Sequence, residues 1–150
     1  MPTLKPSEVR DRIVSEHADM LERLAALDVT LSELRCGRAS WQSAVSECHS
    51  LYDALIAHID MEDELLVPAL RDIDAWGSVR ADMLTQHHVA QRQELRAVLG
   101  DNGESDQRVL ATRVGRLIDD LLTDMAHEER EVLARDLLRD DVIAIALEDG

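Results

Sequence analysis

Four segments of this chain carry residue types that could bind a metal together. They are EHADMLERL around His17, HIDMEDELLVPAL with His58 four residues before Glu62, QHHVAQRQEL with His87 and His88, and DMAHEEREVL. The last offers two overlapping pairs, His127 with Glu131 and Asp124 with Glu128. On a helix, residues four apart share a face, so either pair could aim two donor groups at one point. Imidazole combined with carboxylate suits iron and other first-row metals better than thiophilic ones. A buried group of such residues without a cation would be hard to keep ionised.

The elements that must position them are four long stretches of helical periodicity, with no period-two alternation to suggest strands. The first runs over residues 6–35 and is broken by CGRAS (36–40), with Gly37 as its stop and Ser40 as the next N-cap. The second reaches about Ile73, with Pro68 expected to kink its last turn. AWGS (75–78) precedes a third helix ending near Gly100, and GDNGESD (100–106) separates that from a fourth reaching Leu138. VIAIAL (142–147) reads as a short docked helix or tail. Short connections between long helices imply an all-α, up-down-up-down antiparallel four-helix bundle occupying one domain.

Helical phase decides which polar residues face inward. Glu62 lies roughly 40° from the centre of its apolar stripe and His58 about 80°, on the same side. On the fourth helix Glu128 falls roughly 55° from the centre and Asp124 about 95°, against about 155° for His127 and 115° for Glu131. Asp124 and Glu128 are therefore preferred over His127 and Glu131. His17 lies roughly 35° from the centre of its own stripe. On the third helix the stripe drawn through Val79, Met83, Leu84, Leu95, Val98 and Leu99 puts His87 nearer its centre. His88 has the better seven-residue spacing to Leu95, so both remain candidates.

Composition narrows the partners. A formal charge of -15 disfavours nucleic acid and anionic membranes. No apolar run approaches a membrane span, and MPTLKPSEVRD has no signal-peptide core, so the chain reads as cytoplasmic. Cys36 and Cys48 read as free thiols. Tyr52, the only tyrosine, borders the second stripe and reads as a core residue.

Taken in order, these segments resemble the hemerythrin-like (HHE cation-binding) family, with HIDMEDELLVPAL the most specific of them. The resemblance implies a four-helix bundle holding two irons, oxo- or hydroxo-bridged, with manganese or zinc as other candidate metals. It implies bridging by Glu62 and Glu128, and terminal ligation by His17, His58 and His87 or His88. Asp124 stands where a fourth-helix histidine is expected, unless His127 and Glu131 are used instead. Fewer imidazoles and more anionic oxygen favour reaction with, or sensing of, oxygen, peroxide or nitric oxide over reversible oxygen carriage. The competing expectation is a degenerate bundle with one metal or none, acting as a structural or protein-interaction module.

Overall fold

The computed structural model describes residues 3–100 and 106–140. Among these the chain is all-helical and has no strand. Its helices are α1 (Pro6–Arg35), α2 (Trp41–Arg71), α3 (Gly77–Leu95) and α4 (Gln107–Glu131). A five-residue π-helical segment, Arg96–Gly100, continues α3. VIAIAL, and all of GDNGESD except its two end residues, lie outside the described residues.

Local chemistry sets the helix ends. Pro6, which has no N–H to lose, opens α1, and the Glu8 carboxylate accepts from the Lys5 backbone N–H at 2.8 Å. At the other end Gly37, with φ 71°, donates to Leu34 O while Arg38 donates to Glu33 O. That pair of bonds is a Schellman stop, which needs a left-handed residue. Ser40 then accepts from Ser43 N–H to start α2, and Asp106 accepts from Arg108 N–H to start α4. The α2 helix continues through Pro68 to Arg71. A Cβ at Gly77 would lie 2.0 Å from the Leu70 carbonyl oxygen, so α3 can begin this close to the end of α2 only on glycine.

Two features differ from the periodicity reading. The α4 helix ends at Glu131 rather than near Leu138. Val132 and Leu133 both donate back to Glu128 O, and the chain then turns, with Leu137 and Leu138 donating to Ala134 O. This turn buries Leu133 and Leu138 beside Val9, Ile13, Leu66 and Leu70. Arg10 Nε also donates to Leu133 O at 2.8 Å, placing a cation where the helix ends. Burial of two leucines thus outweighs the propensity to continue straight.

The second difference is the phase of α3. Val79 and Met83, used to define its inner stripe, are 52% and 66% exposed, whereas Gly77, Ala81, Leu84, His88 and Leu95 are buried. The π-helical segment changes the rotation per residue and brings Val98 and Leu99 back into the core.

The core is divided in two. One cluster gathers Leu24, Leu27, Leu51, Leu55, Leu99 and Leu117 with their neighbours. The other gathers Val9, Ile13, Leu66, Leu70, Leu84 and Leu133 with theirs. Between them, in chain order, each helix carries a buried or nearly buried polar side chain: His17, His58 with Glu62, His88, and Glu128. Pairs joining neighbouring helices include Glu16 with His58, Thr30 with Glu47, Asp60 with Arg92, and Arg71 with Asp82. Among the described residues no helix is long and apolar enough to cross a membrane.

Candidate metal centre

Glu62, 1% exposed, is the hub of the polar layer. Its Oε2 lies 2.9 Å from His88 Nε2. Its Oε1 lies 2.6 Å from His58 Nε2, one helical turn earlier, and 3.5 Å from His17 Nε2. Glu128 reaches the same point from α4, with Oε1 3.2 Å from His17 Nε2. All three buried imidazoles therefore present Nε2 to the carboxylates at the centre of the bundle.

Their other ring nitrogens face outward, each onto a different acid. His17 Nδ1 lies 3.2 Å from Glu129 Oε1, His58 Nδ1 3.2 Å from Glu16 Oε2, and His88 Nδ1 2.5 Å from Asp63 Oδ1. Arg92 donates to Asp63 Oδ2 at 2.6 Å and to Asp60 at 2.8 Å, fixing the acid that meets His88. These three acids are not among the site candidates that the sequence offers. The available signal was adjacency, since Glu16, Asp63 and Glu129 directly neighbour His17, Glu62 and Glu128.

Proton affinities follow from this packing. Burial opposes charge on His17, but Glu128 and Glu62 outweigh it and hold its pKa at about 10. Burial likewise opposes charge on His58 and His88; Glu62 pushes both up, assisted by Glu16 at the first and Asp63 at the second. Glu62 would be neutralised by burial alone, yet the three imidazoles hold it well below the usual carboxylate range. Glu128 goes the other way, up to about 7, through burial and then the repulsion of Glu62.

The layer remains incompletely satisfied. His17 Nε2, Glu62 Oε1 and Glu128 Oε1 are buried and make no hydrogen bond. His58 Nε2 comes close to Glu62 Oε1 without the alignment of one. Buried polar atoms without partners cost about 1–3 kcal/mol each, so three in one place call for an explanation. One donor atom from each of His17, His58, Glu62 and Glu128 can be chosen so that all four lie within 4.8 Å of one another. Two neutral imidazole nitrogens and two carboxylate oxygens form a donor set suited to a first-row divalent cation. The residues fit a metal.

The sequence matches the family model for the hemerythrin HHE cation-binding domain over residues 8–135. The chain belongs to the hemerythrin HHE family. Neither the curated proteins nor the solved structures searched contain a match to it. The matched span takes in α2, α3, α4, all but the first two residues of α1, and every residue of the polar layer, so the HHE signature and the incompletely bonded layer coincide.

The remaining candidates lie outside this hemerythrin-family core. His87 is half exposed, with Nε2 3.7 Å from Asp124 Oδ2. His127 and Glu131 are exposed on α4. With Glu128, these four line a cavity of about 380 Å³ walled by Met83, Leu84 and Val132. Glu128 is thus shared by the cavity and the four-residue cluster. Cys36 is an exposed free thiol, and Cys48 is a buried one with its pKa pushed up to about 11, first by burial and then by Glu47. Tyr52 packs against the cluster that holds Leu24, Leu51 and Leu99, and against Gly100.

Proposed function

We propose that this hemerythrin-family bundle is a non-haem di-iron protein that reacts with, or senses, oxygen, peroxide or nitric oxide. The observation that carries this reading is the set of three buried ligating atoms, on His17, Glu62 and Glu128, that make no hydrogen bond. His17 and His58 would hold one metal by Nε2, and His88 the other. Glu62 and Glu128, each with two oxygens, would bridge them. Asp124 and His87, which line a cavity together with Glu128, would be further donors. When bound, the metals supply Lewis acidity and electrons to the oxidant.

The chain's own residues divide the remaining work. Apolar clusters above and below keep bulk water from the layer and strengthen its electrostatics. The cavity between α3 and α4 gives a small oxidant a route to Glu128. At that cavity the His87 ring lies beside Asp124, with Nε2 3.7 Å from Oδ2. The order of pairs along neighbouring helices supports an up-down-up-down antiparallel arrangement, since partners move backward along α2 as they advance along α1.

A second reading is favoured by the compactness of one group. His17, His58, Glu62 and Glu128 alone suffice for a single cation, which would leave the bundle a mononuclear or structural module. Iron content per chain after anaerobic ferrous loading separates the two: about two supports the di-iron reading, and one the mononuclear reading. Multiple-turnover consumption of peroxide or nitric oxide then distinguishes an enzyme from a sensor.

A further inference from the structure

We propose that Glu16, Asp63 and Glu129 are positioning residues, each holding the Nδ1–H of an imidazole on a neighbouring helix so that its Nε2 points at the bundle centre. The proposal rests on the metal-binding reading above for its purpose, but its geometry stands separately.

The three contacts form a chain around the bundle. Glu129 on α4 meets His17 on α1, Glu16 on α1 meets His58 on α2, and Asp63 on α2 meets His88 on α3. Each acid follows or precedes an inward side chain by one residue, hence sits about 100° around its helix. That rotation carries it out of the core and toward the seam with the next helix. The acids are accordingly 31–42% exposed by side chain, while the imidazoles they meet are 1–8% exposed.

An imidazole can present either nitrogen, and a neutral ring in the wrong tautomer aims a proton rather than a lone pair at a metal. An acceptor fixed at Nδ1 selects the Nδ1–H form, leaving the Nε2 lone pair free. Three independent rings all oriented this way are unexpected if the acids are only surface charge. Asp63 is the most constrained of the three, because Arg92 occupies its Oδ2 and leaves Oδ1 for His88.

The test uses the full chain and zinc, which is diamagnetic. Imidazole ring-proton and nitrogen resonances are assigned in the wild type and in Glu16→Ala, Asp63→Ala and Glu129→Ala, and zinc affinity is measured by competition with a chelator. Each variant should lose the protected Nδ1–H signal of one ring: His58, His88 and His17 respectively. Each should bind zinc about 10- to 100-fold more weakly. Glu16→Gln and Glu129→Gln, whose amide oxygens can still accept, should retain the signal. Unchanged ring signals in all three alanine variants would overturn the proposal, as would loss of all three signals in each variant. The ring signals can also be read in metal-free protein, where both nitrogens of a charged ring are protonated. Failure of the wild type to bind zinc would therefore count against the metal site, while the pairings are judged on their own.

Discussion

His88 and Glu62 meet at 2.9 Å across the α2–α3 seam, while His87, the adjacent residue, turns away to a half-exposed position beside Asp124. His88→Ala should therefore weaken metal binding by at least about tenfold, the scale of losing even a supporting contact. His87→Ala should change affinity by much less. Parallel ferrous or zinc titrations of the two variants check this, and equal losses would mean that His87 shares the inner position.

Glu62 faces three imidazoles, so its removal leaves buried positive charge uncompensated. Glu62→Ala should destabilise the metal-free protein at pH 6 by about 3–5 kcal/mol, as expected when one partner of a buried ionic network is lost. Denaturant unfolding measures the difference. A change under about 1 kcal/mol would show that the layer is not the ionic network described here.

The match between sequence and structure was uneven for physical reasons. On α1, α2 and α4 dense leucine stripes fix the phase, so the burial of His17 and Glu62 and the exposure of His127 follow from spacing alone. The α3 helix carries few apolar residues, and exposed Val79 and Met83 pull the apparent stripe toward His87. Leu84 and Leu95, spaced four before and seven after His88, were the better guide. The early end of α4 depends on Leu133 and Leu138 finding a tertiary site beside Val9 and Ile13, which no local pattern encodes. For the outer acids adjacency is the only signal, and a partly exposed carboxylate beside a ligand candidate looks like any solvated charge.

As pH rises, the metal-free protein should lose stability while the stabilisation conferred by metal grows. Glu128, raised to about 7 in the fold from 4.5, contributes stability that is fully present below about pH 4.5 and lost as pH rises through 7. His17, raised to about 10 from 6.5, contributes stability present below 6.5 and lost as pH rises through 10. Glu62, held low, has the reverse sign: its contribution is present above 4.5 and lost as pH falls through its folded value. Between pH 6 and 9 the first two dominate, so the metal-free Tm should fall. Metal binding must displace those protons, so the gain in Tm on loading should grow over the same range. Thermal unfolding with and without metal at pH 6 and 9 tests both statements; a metal-free Tm that rises would contradict the first.

The junction of α2 and α3 leaves no room at Gly77. Gly77→Ala should cost at least about 2 kcal/mol, because a Cβ would collide with the Leu70 carbonyl rather than a movable side chain. Gly37→Ala should cost about 1–2 kcal/mol through its left-handed backbone alone. Comparing the two by chemical denaturation distinguishes collision from conformational strain, with the larger loss expected at Gly77.

On the di-iron reading, the ligating atoms of the polar layer that make no hydrogen bond would hold iron. Metal content per chain, measured after anaerobic loading with ferrous iron and removal of loose metal, tests it most directly. About two irons in the wild type, falling sharply in His58→Ala and Glu62→Ala, is the expected result. No retained iron in the wild type, or full retention in both variants, would contradict it.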